Sequence, residues 1–402
     1  MKVLIIHSSY KYKGGEDTVV AEELKLLQSN GVTVELLLFN NESSTLTKVL
    51  QLPFNIKSYS RTIKKLNTFQ PDVVHIHNLH FAASASIVYA IKKYGVPFVV
   101  TLHNYRLLCP SAILFNRGKP FLDSLKQNFP WNAVKQGVYK DSKLLTFWIS
   151  FSMQIHHWMN TWKMSNRFIV LTQHAKDIFL KSRANFTDDQ ILIKPNFCSI
   201  PSQVTFNTSP SDYFLYVGRL SEEKGISLLL ETFAASRYKI KIAGDGPLLN
   251  EVKYYCSQFP NIEYIGVLEK SRIFDLLNNC TALVFPSIWY EGMPLTIIEA
   301  FASGAPVIAT RLGAMESMIS NGYNGLHFEV GNSTDLKAQL DKWQNFDSGQ
   351  KEAYRKNARK TYEEFYTPER NFEQLLSIYT DVIKEAKKQP TKNLLQLGQA
   401  VQ

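Results

Sequence analysis

The chain is short of cysteine and of long apolar runs and lacks an Asp-x-Asp pair, and each shortage excludes something. Its 402 residues include four cysteines, Cys109, Cys198, Cys256 and Cys280, with no paired spacing. That scatter argues against a disulfide framework or a zinc site and for a reducing, cytoplasmic compartment. No run of about 18 apolar residues occurs, so no membrane-spanning helix is expected. The opening MKVLIIHSSY has one lysine and a short apolar run before polar residues. It is expected to be a first buried strand and not a signal peptide. No Asp-x-Asp pair is present, which argues against a divalent cation clamping a diphosphate.

What remains is a globular composition, 45% hydrophobic and 12% aromatic, with length for two domains of about 200 residues each. The formal charge of +10 is lopsided. Residues 1–195 carry 24 Lys/Arg against 12 Asp/Glu, and residues 196–402 carry 21 against 23. The whole excess therefore lies in the first half, which points to an anionic partner there. An anionic membrane surface, a lipid diphosphate and nucleic acid are the candidates, beside a simply basic, soluble half.

Helix, glycine and buried strand recur along the chain. In the first half, strands are expected at 3–7, 32–39, 73–77, 98–102, 168–172 and 191–194, with helices at 16–29, 56–69 and 84–94. A stretch poor in charge and rich in Ser, Thr, Asn and Pro reads as a linker, 196–211. Beyond it, strands at 214–217, 239–243, 262–265, 282–285 and 307–310 alternate with helices at 227–233, 248–258 and 273–278. This is the pattern of two doubly wound parallel α/β domains, 1–195 and 212–370, with a ligand crevice at the carboxyl ends of their strands. The tail 389–402 is expected to be loose.

Residues 286–310 read PSIWYEGMPLTIIEAFASGAPVIAT. Glu291 and Glu299 stand eight positions apart. Gly292-Met293-Pro294 lies between them where a helix should begin, with Pro294 suited to its first position. Leu295, Ile297, Ile298 and Phe301 continue at helical spacing. A helix N-terminus favours phosphate through its unpaired N–H groups and partial positive charge. Carboxylates on either side suit a ligand with phosphate in the middle and hydroxyls at both ends. A nucleotide-diphosphate sugar is such a ligand. Upstream, Gly218-Arg219-Leu220 follows one strand and Glu223-Lys224-Gly225 precedes a helix. An arginine and a lysine five residues apart in a glycine-bounded loop can converge on a diphosphate.

The segment 286–310 resembles the E-x7-E signature of the retaining glycosyltransferases of family 4, which have the GT-B fold. The resemblance is strongest from Tyr213 to Phe328. It implies two Rossmann-like domains facing a central cleft and a C-terminal helix, 371–388, crossing back onto the first. It implies that Arg219 and Lys224 stabilise the departing diphosphate, that Glu291 binds the hydroxyls of the donor sugar, and that Glu299 accepts hydrogen bonds from the ribose. The N–H groups around Met293, Pro294 and Leu295 would touch sugar and phosphate. By the same likeness Gly218, Gly244 and Gly246 line the nucleotide site, and the backbone at Val267 and Leu268 meets the base. The donor would be a UDP-, GDP- or ADP-sugar, with no cofactor and no essential metal.

In the first half, Lys13-Gly14-Gly15-Glu16 lies in the first strand-to-helix loop. There Gly15 permits close backbone approach, and the family places a similar loop beside diphosphate and acceptor. His103, in Thr101-Leu102-His103-Asn104-Tyr105, resembles the family's cleft histidine, which contacts the sugar's 6-hydroxyl or nearby oxygens. Asn104 and Arg106 are its companions. His75 and His77 alternate on one strand, with His80 beyond. Zinc would need a third ligand, and none stands at an obvious spacing, so a structural or cleft-lining role is expected. The stretch 142–163 is dense in Trp, Phe and Met with lysines around it. Two readings stand: an aromatic core helix, which is preferred, and a basic helix at a membrane interface.

The expected function is transfer of a sugar, with retained anomeric configuration, onto an acceptor hydroxyl. A glycan or lipid-linked glycan of cell-envelope polysaccharide synthesis is the favoured acceptor. The protein would be cytoplasmic, with the inner face of the plasma membrane a candidate peripheral location. Three rivals stand beside it, of which a degenerate, non-catalytic binder is opposed by the intact glutamates and basic pair. A GT-B nucleotide-sugar epimerase would act on donor alone. A basic nucleic-acid-binding protein would show salt-dependent retention on DNA or RNA, but no recognition motif is present, so nucleic acid is not an expected partner.

Overall fold

The computed structural model describes residues 1–9, 14–40, 51–80, 82–201 and 211–388. Lys13, most of the linker and the tail 389–402 lie outside the described residues. Two six-stranded sheets carry the fold. The first contains β1 (Lys2–Ser9), β2 (Thr33–Asn40), β3 (Val73–Ile76), β4 (Phe98–Leu102), β7 (Arg167–Val170) and β8 (Ile191–Ile193), with β5 (Phe115–Asn116) and β6 (Lys119–Pro120) forming a small separate ribbon. Its order is β2-β1-β3-β4-β7-β8. The second contains β9 (Phe214–Val217), β10 (Ile240–Ala243), β11 (Ile262–Gly266), β12 (Ala282–Phe285), β13 (Val307–Thr310) and β14 (Gly325–Phe328), in the order β11-β10-β9-β12-β13-β14. Every pairing within the two large sheets is parallel.

Both sheets are covered on two faces, which is why their strands read as nearly continuous apolar runs. Alternate residues serve opposite layers. In the first sheet, Leu4, Ile6, Val74, Ile76, Val100 and Phe168 join one buried cluster, while Val3, Ile5, Val73, Val99 and Ile169 join another. The second cluster also holds Val20 and Leu27 from the helix Gly15–Ser29, together with Leu375, Ile378, Tyr379 and Val382. Those last four belong to the helix Pro368–Lys388, so the final helix does return to the first sheet. Its apolar positions recur at three- and four-residue spacing and lie on the face that packs down.

Two local expectations need correction. Pro294 is the N-cap and not the first helical residue, since the helix runs Leu295–Ala302. The helix Lys143–Trp158 is not an aromatic core helix. Its buried stripe is Thr146, Ile149, Ser150, Ser152 and His156. Its aromatic residues instead stack on one another and on a neighbouring segment, with Phe147 and Phe151 rings 6.1 Å apart and Phe147 and Trp131 rings 6.2 Å apart. Trp158 is 66% exposed and Leu144 is 77% exposed. Small polar side chains let this helix approach its neighbours closely and push the bulky rings outward. Strand β14 was not foreseen either. It pairs with β13 at the far edge from β11.

Candidate active site

The strands of each sheet end at loops that line a cavity of about 540 Å³. The second-sheet wall comes from the loop after β9, the loop after β12 and the start of the helix Leu295–Ala302. Of the residues singled out in the sequence, Gly15, His103, Gly218, Arg219, Lys224, Glu291, Gly292, Met293, Pro294 and Leu295 all line this cavity. Asn104 and Arg106 do so as well.

Lys224 and Glu291 meet directly. Lys224 Nζ donates to Glu291 Oε1 at 2.6 Å, and Ser287 Oγ donates to the same oxygen at 2.7 Å. Glu291 is only 5% exposed, so its charge needs these partners. The ammonium also sits 5.1 Å from the ring centre of Trp289 and 5.8 Å from that of Phe285. The lysine is thus fixed over aromatic faces with one donor used by the carboxylate. Arg219, by contrast, is exposed. Its loop is pinned by Tyr216, whose hydroxyl donates to the Arg219 carbonyl at 2.8 Å.

Gly244, Gly246, Val267, Leu268 and Glu299 do not line the cavity. The two glycines act on the Arg219 loop. A Cβ at Gly244 would fall 1.8 Å from the Gly218 carbonyl oxygen, and one at Gly246 would fall 2.3 Å from that of Leu220. The backbone there is already in contact, so both positions tolerate no side chain. Val267 follows β11, the edge strand, and is 72% exposed. Leu268 packs beside the apolar cluster under the helix Leu295–Ala302. Glu299 is half-buried on that helix, and its burial raises the carboxyl pKa against the pull of Lys270.

The first-sheet wall approaches very closely. A Cβ at Gly292 would lie 2.4 Å from the His103 carbonyl oxygen. His174 stacks on Tyr290 with ring centres 5.3 Å apart. The N-terminus of the helix Gly15–Ser29 is already complemented by its own acids. Gly14 N–H donates to Asp17 Oδ2 at 2.9 Å, and Asp17 Oδ1 lies 2.9 Å from His7 Nε2. With Glu16 and Asp17 in its first turn, this end suits hydroxyl groups better than phosphate.

Behind His103 lies a buried polar network that sequence reasoning missed. His103 Nε2 is 3.0 Å from His77 Nδ1, and His77 Nε2 is 3.0 Å from Glu23 Oε1. Glu23 also meets His75 Nδ1 at 3.1 Å and Lys194 Nζ at 3.0 Å. Lys194 donates on to Asn371 Oδ1, and Tyr379 Oη lies 2.6 Å from His75 Nδ1. Alternation explains the convergence, because His75 on β3 and His77 just past its end share a face with Thr101 on β4 and His103 just past its end. Glu23, on a helix, was the unseen third group beside the two histidines. These three form the one His/Cys/Asp/Glu group among the described residues with ligand atoms close enough for a metal ion, all within 4.8 Å. The Lys194 ammonium already supplies a cation to that carboxylate, which favours a hydrogen-bonded network over a metal site. Asn196, whose N–H lies 3.2 Å from Met293 Sδ, and Ser287 are further site residues that no motif marked.

The comparisons with known proteins follow the same two halves. Residues 13–197 match the model of Glycosyltransferase Family 4, and residues 202–361 match that of the Glycosyl transferases group 1. The O-antigen chain mannosyltransferase C of Escherichia coli is 28% identical over 182 residues, 44% of this chain and 48% of the relative. The chain thus spans about half the length of that relative. The UDP-Gal:alpha-D-GlcNAc-diphosphoundecaprenol alpha-1,3-galactosyltransferase of Escherichia coli is 25% identical over 312 residues, 71% of this chain and 70% of the relative. Among solved structures, a glycosyltransferase from Rickettsia africae superposes with a TM-score of 0.69 at 17% identity, covering 95% of this chain and 98% of that one. At that identity the likeness speaks for the fold, two Rossmann-like domains about a cleft.

Proposed function

The chain belongs to the family 4, group 1 glycosyltransferases, and on that premise we propose that it transfers a sugar from a nucleotide-diphosphate donor to an acceptor hydroxyl of a cell-envelope glycan. One observation carries the reading: Arg219, Lys224, Glu291 and the start of the helix Leu295–Ala302 line one wall of a cavity whose other wall holds His103.

In this reading the diphosphate lies against Arg219, Lys224 and the helix N-terminus. Fixed cations and N–H groups there stabilise charge as it develops on the leaving group. Lys224 is shared between phosphate and Glu291, and the Lys224–Glu291 bond holds the carboxylate aimed at the sugar hydroxyls. The nucleoside extends toward the edge strand β11, so that Glu299 meets the ribose and the backbone at Val267 and Leu268 meets the base. Gly244 and Gly246 act indirectly, by letting the Arg219 loop approach. The cationic pair takes the place of a divalent metal. Transfer proceeds with retention: the acceptor oxygen attacks on the face the diphosphate leaves, and a departing phosphate oxygen takes its proton. The close contact of Gly292 with His103 keeps water from the reacting centre.

The acceptor is proposed to be lipid-linked, reached at an anionic membrane by the exposed aromatic and lysine residues around the helix Lys143–Trp158. No helix among the described residues is long and apolar enough to cross a membrane, so a surface contact is the form this would take. A thermal-shift panel of UDP-, GDP- and ADP-sugars tests the donor reading. One class should stabilise the protein, and Lys224→Ala should abolish that stabilisation. No stabilisation by any of them, or an undiminished shift in Lys224→Ala, overturns it. The product's anomeric configuration, read by NMR, tests retention.

A further inference from the structure

The network behind His103 determines where its protons are. Glu23 receives Lys194 Nζ on Oε2 at 3.0 Å, and on Oε1 it faces His77 Nε2 at 3.0 Å and His75 Nδ1 at 3.1 Å. Burial pushes the Glu23 carboxyl pKa up, but Lys194, His77 and His75 outweigh it and hold it well below the usual carboxylate range. An ionised carboxylate only accepts, so His77 Nε2 must carry hydrogen. Burial first, then His75, pulls the His77 pKa down to about 4, and the ring is neutral at pH 7. A neutral imidazole has one N–H. His77 Nδ1 is therefore a lone pair, and it faces His103 Nε2 at 3.0 Å. Only a hydrogen on His103 Nε2 satisfies that contact. Burial and then His77 keep the His103 pKa well below its ordinary value, so this ring also has a single N–H.

We propose that Glu23 and His77 are positioning residues that lock His103 into the Nε2–H tautomer, leaving its Nδ1 as a hydrogen-bond acceptor for a saccharide hydroxyl in the cleft. The role toward a saccharide rests on the glycosyltransferase reading, whereas the tautomer does not. The remaining groups around the chain agree with this direction. His75 Nδ1 lies between Tyr379 Oη at 2.6 Å and Glu23 Oε1 at 3.1 Å, and its Nε2 lies 2.7 Å from Thr101 Oγ1. Tyr379 stays protonated, because burial first and then Glu23 raise its pKa. Lys194 is held in place by Asn371 Oδ1 at 3.1 Å. His7 is the other nearby ionisable group, and burial lowers its pKa despite Asp17.

The test is long-range ¹⁵N–¹H correlation of histidine side chains in the free, full-length protein at pH 7.5. His77→Gln and His103→Gln assign the signals by their loss. His77 and His103 should both show the Nε2–H pattern. A His103 ring that is Nδ1–H, or doubly protonated, overturns the proposal whatever the protein's activity. Glu23→Gln supplies the functional half. Lys194 holds the amide oxygen toward itself, so the amide NH₂ faces His77 and the chain of donors reverses. His103 should then become Nδ1–H, and transfer should fall by up to roughly 10⁴-fold, the cost of a wrong histidine tautomer in a catalytic triad. The thermal shift by donor should persist. Full transfer by a Glu23→Gln protein with a reversed tautomer removes the role at the saccharide. If Glu23→Gln does not fold, the wild-type spectrum decides alone. Failure of every nucleotide sugar to stabilise the wild type sinks the glycosyltransferase reading and leaves the tautomer standing.

Discussion

The two walls of the cleft are built on opposite plans. The second-sheet wall is a set of short loops, each issuing from one strand, with charged side chains at or near solvent. Its ion pair, Lys224–Glu291, joins side chains with relative exposures of 20% and 7%. The first-sheet wall presents Gly15, Asn104 and Arg106 beside a histidine, His103, that is backed by a dry network drawn from the helix Gly15–Ser29, β3, β4, the segment after β8 and the returning helix. A partly wet wall can exchange partners when a charged ligand arrives. A dry one cannot, because each group left unpaired costs its full desolvation. The contrast assigns binding to one side and fixed orientation to the other.

The hardest blow to that contrast would come from Glu23. Glu23→Leu leaves the Lys194 ammonium buried with only Asn371 beside it. A loss of about 3–5 kcal/mol is expected, seen as an earlier urea transition of the first half. Adding Lys194→Met should recover most of it. A single mutant as stable as the wild type would mean that the network holds nothing together.

Lys224→Ala addresses the other wall. Removing one preorganised charge from the leaving group should lower kcat/KM by about 10²- to 10³-fold. Stability should change far less than for Glu23→Leu, because water can reach Glu291 through the vacated space. Glu291→Ala should fall in the same activity range. If Lys224→Ala instead unfolds the protein, the two walls are not the different constructions described above.

Gly292→Ala probes where the walls meet. Its Cβ would sit 2.4 Å from the His103 carbonyl oxygen, so one wall must retreat. Transfer should drop by up to about 10²-fold, with melting unchanged within a few degrees. Wild-type turnover in this variant would show that the close approach is incidental to the reaction.

How much of this was legible follows the same division. The wall of contiguous loops was readable because its chemistry is local. Arg219 and Lys224 are five residues apart, and Glu291 begins a motif that also encodes its helix. Strands β9, β12 and β13 declared themselves as short apolar runs bounded by turn residues. The GT-B architecture and the returning helix came with the resemblance. Illegible were the partners joined only by topology. Glu23 meets His77 from 54 positions away, and His75 meets Tyr379 from 304. No spacing rule reaches across such distances, although the alternation of His75 with His77 marked the correct face. Gly244 and Gly246 show the converse. The resemblance put them at the nucleotide site, and the structure places them in backbone-to-backbone contact with the Arg219 loop.

The finest distinction concerns the outer surface of the first half, away from both walls. Around the helix Lys143–Trp158, Trp131 is 53% exposed and Met159 is 54% exposed, beside Leu144 and Trp158. Lys135, Lys140, Lys143 and Lys163 are exposed nearby. Basic side chains next to an anionic bilayer contribute about 1 kcal/mol each. Lys135→Ala and Lys143→Ala should therefore each weaken flotation with anionic liposomes about fivefold, and together more than either alone. Transfer to a short soluble acceptor should be untouched, since neither lysine lines the cleft. Neutral liposomes should bind little, because the aromatic cluster alone lacks the long-range attraction. Equal flotation with neutral and anionic vesicles, or none with either, would detach this surface from the membrane and leave the charge asymmetry of the two halves to some other anion.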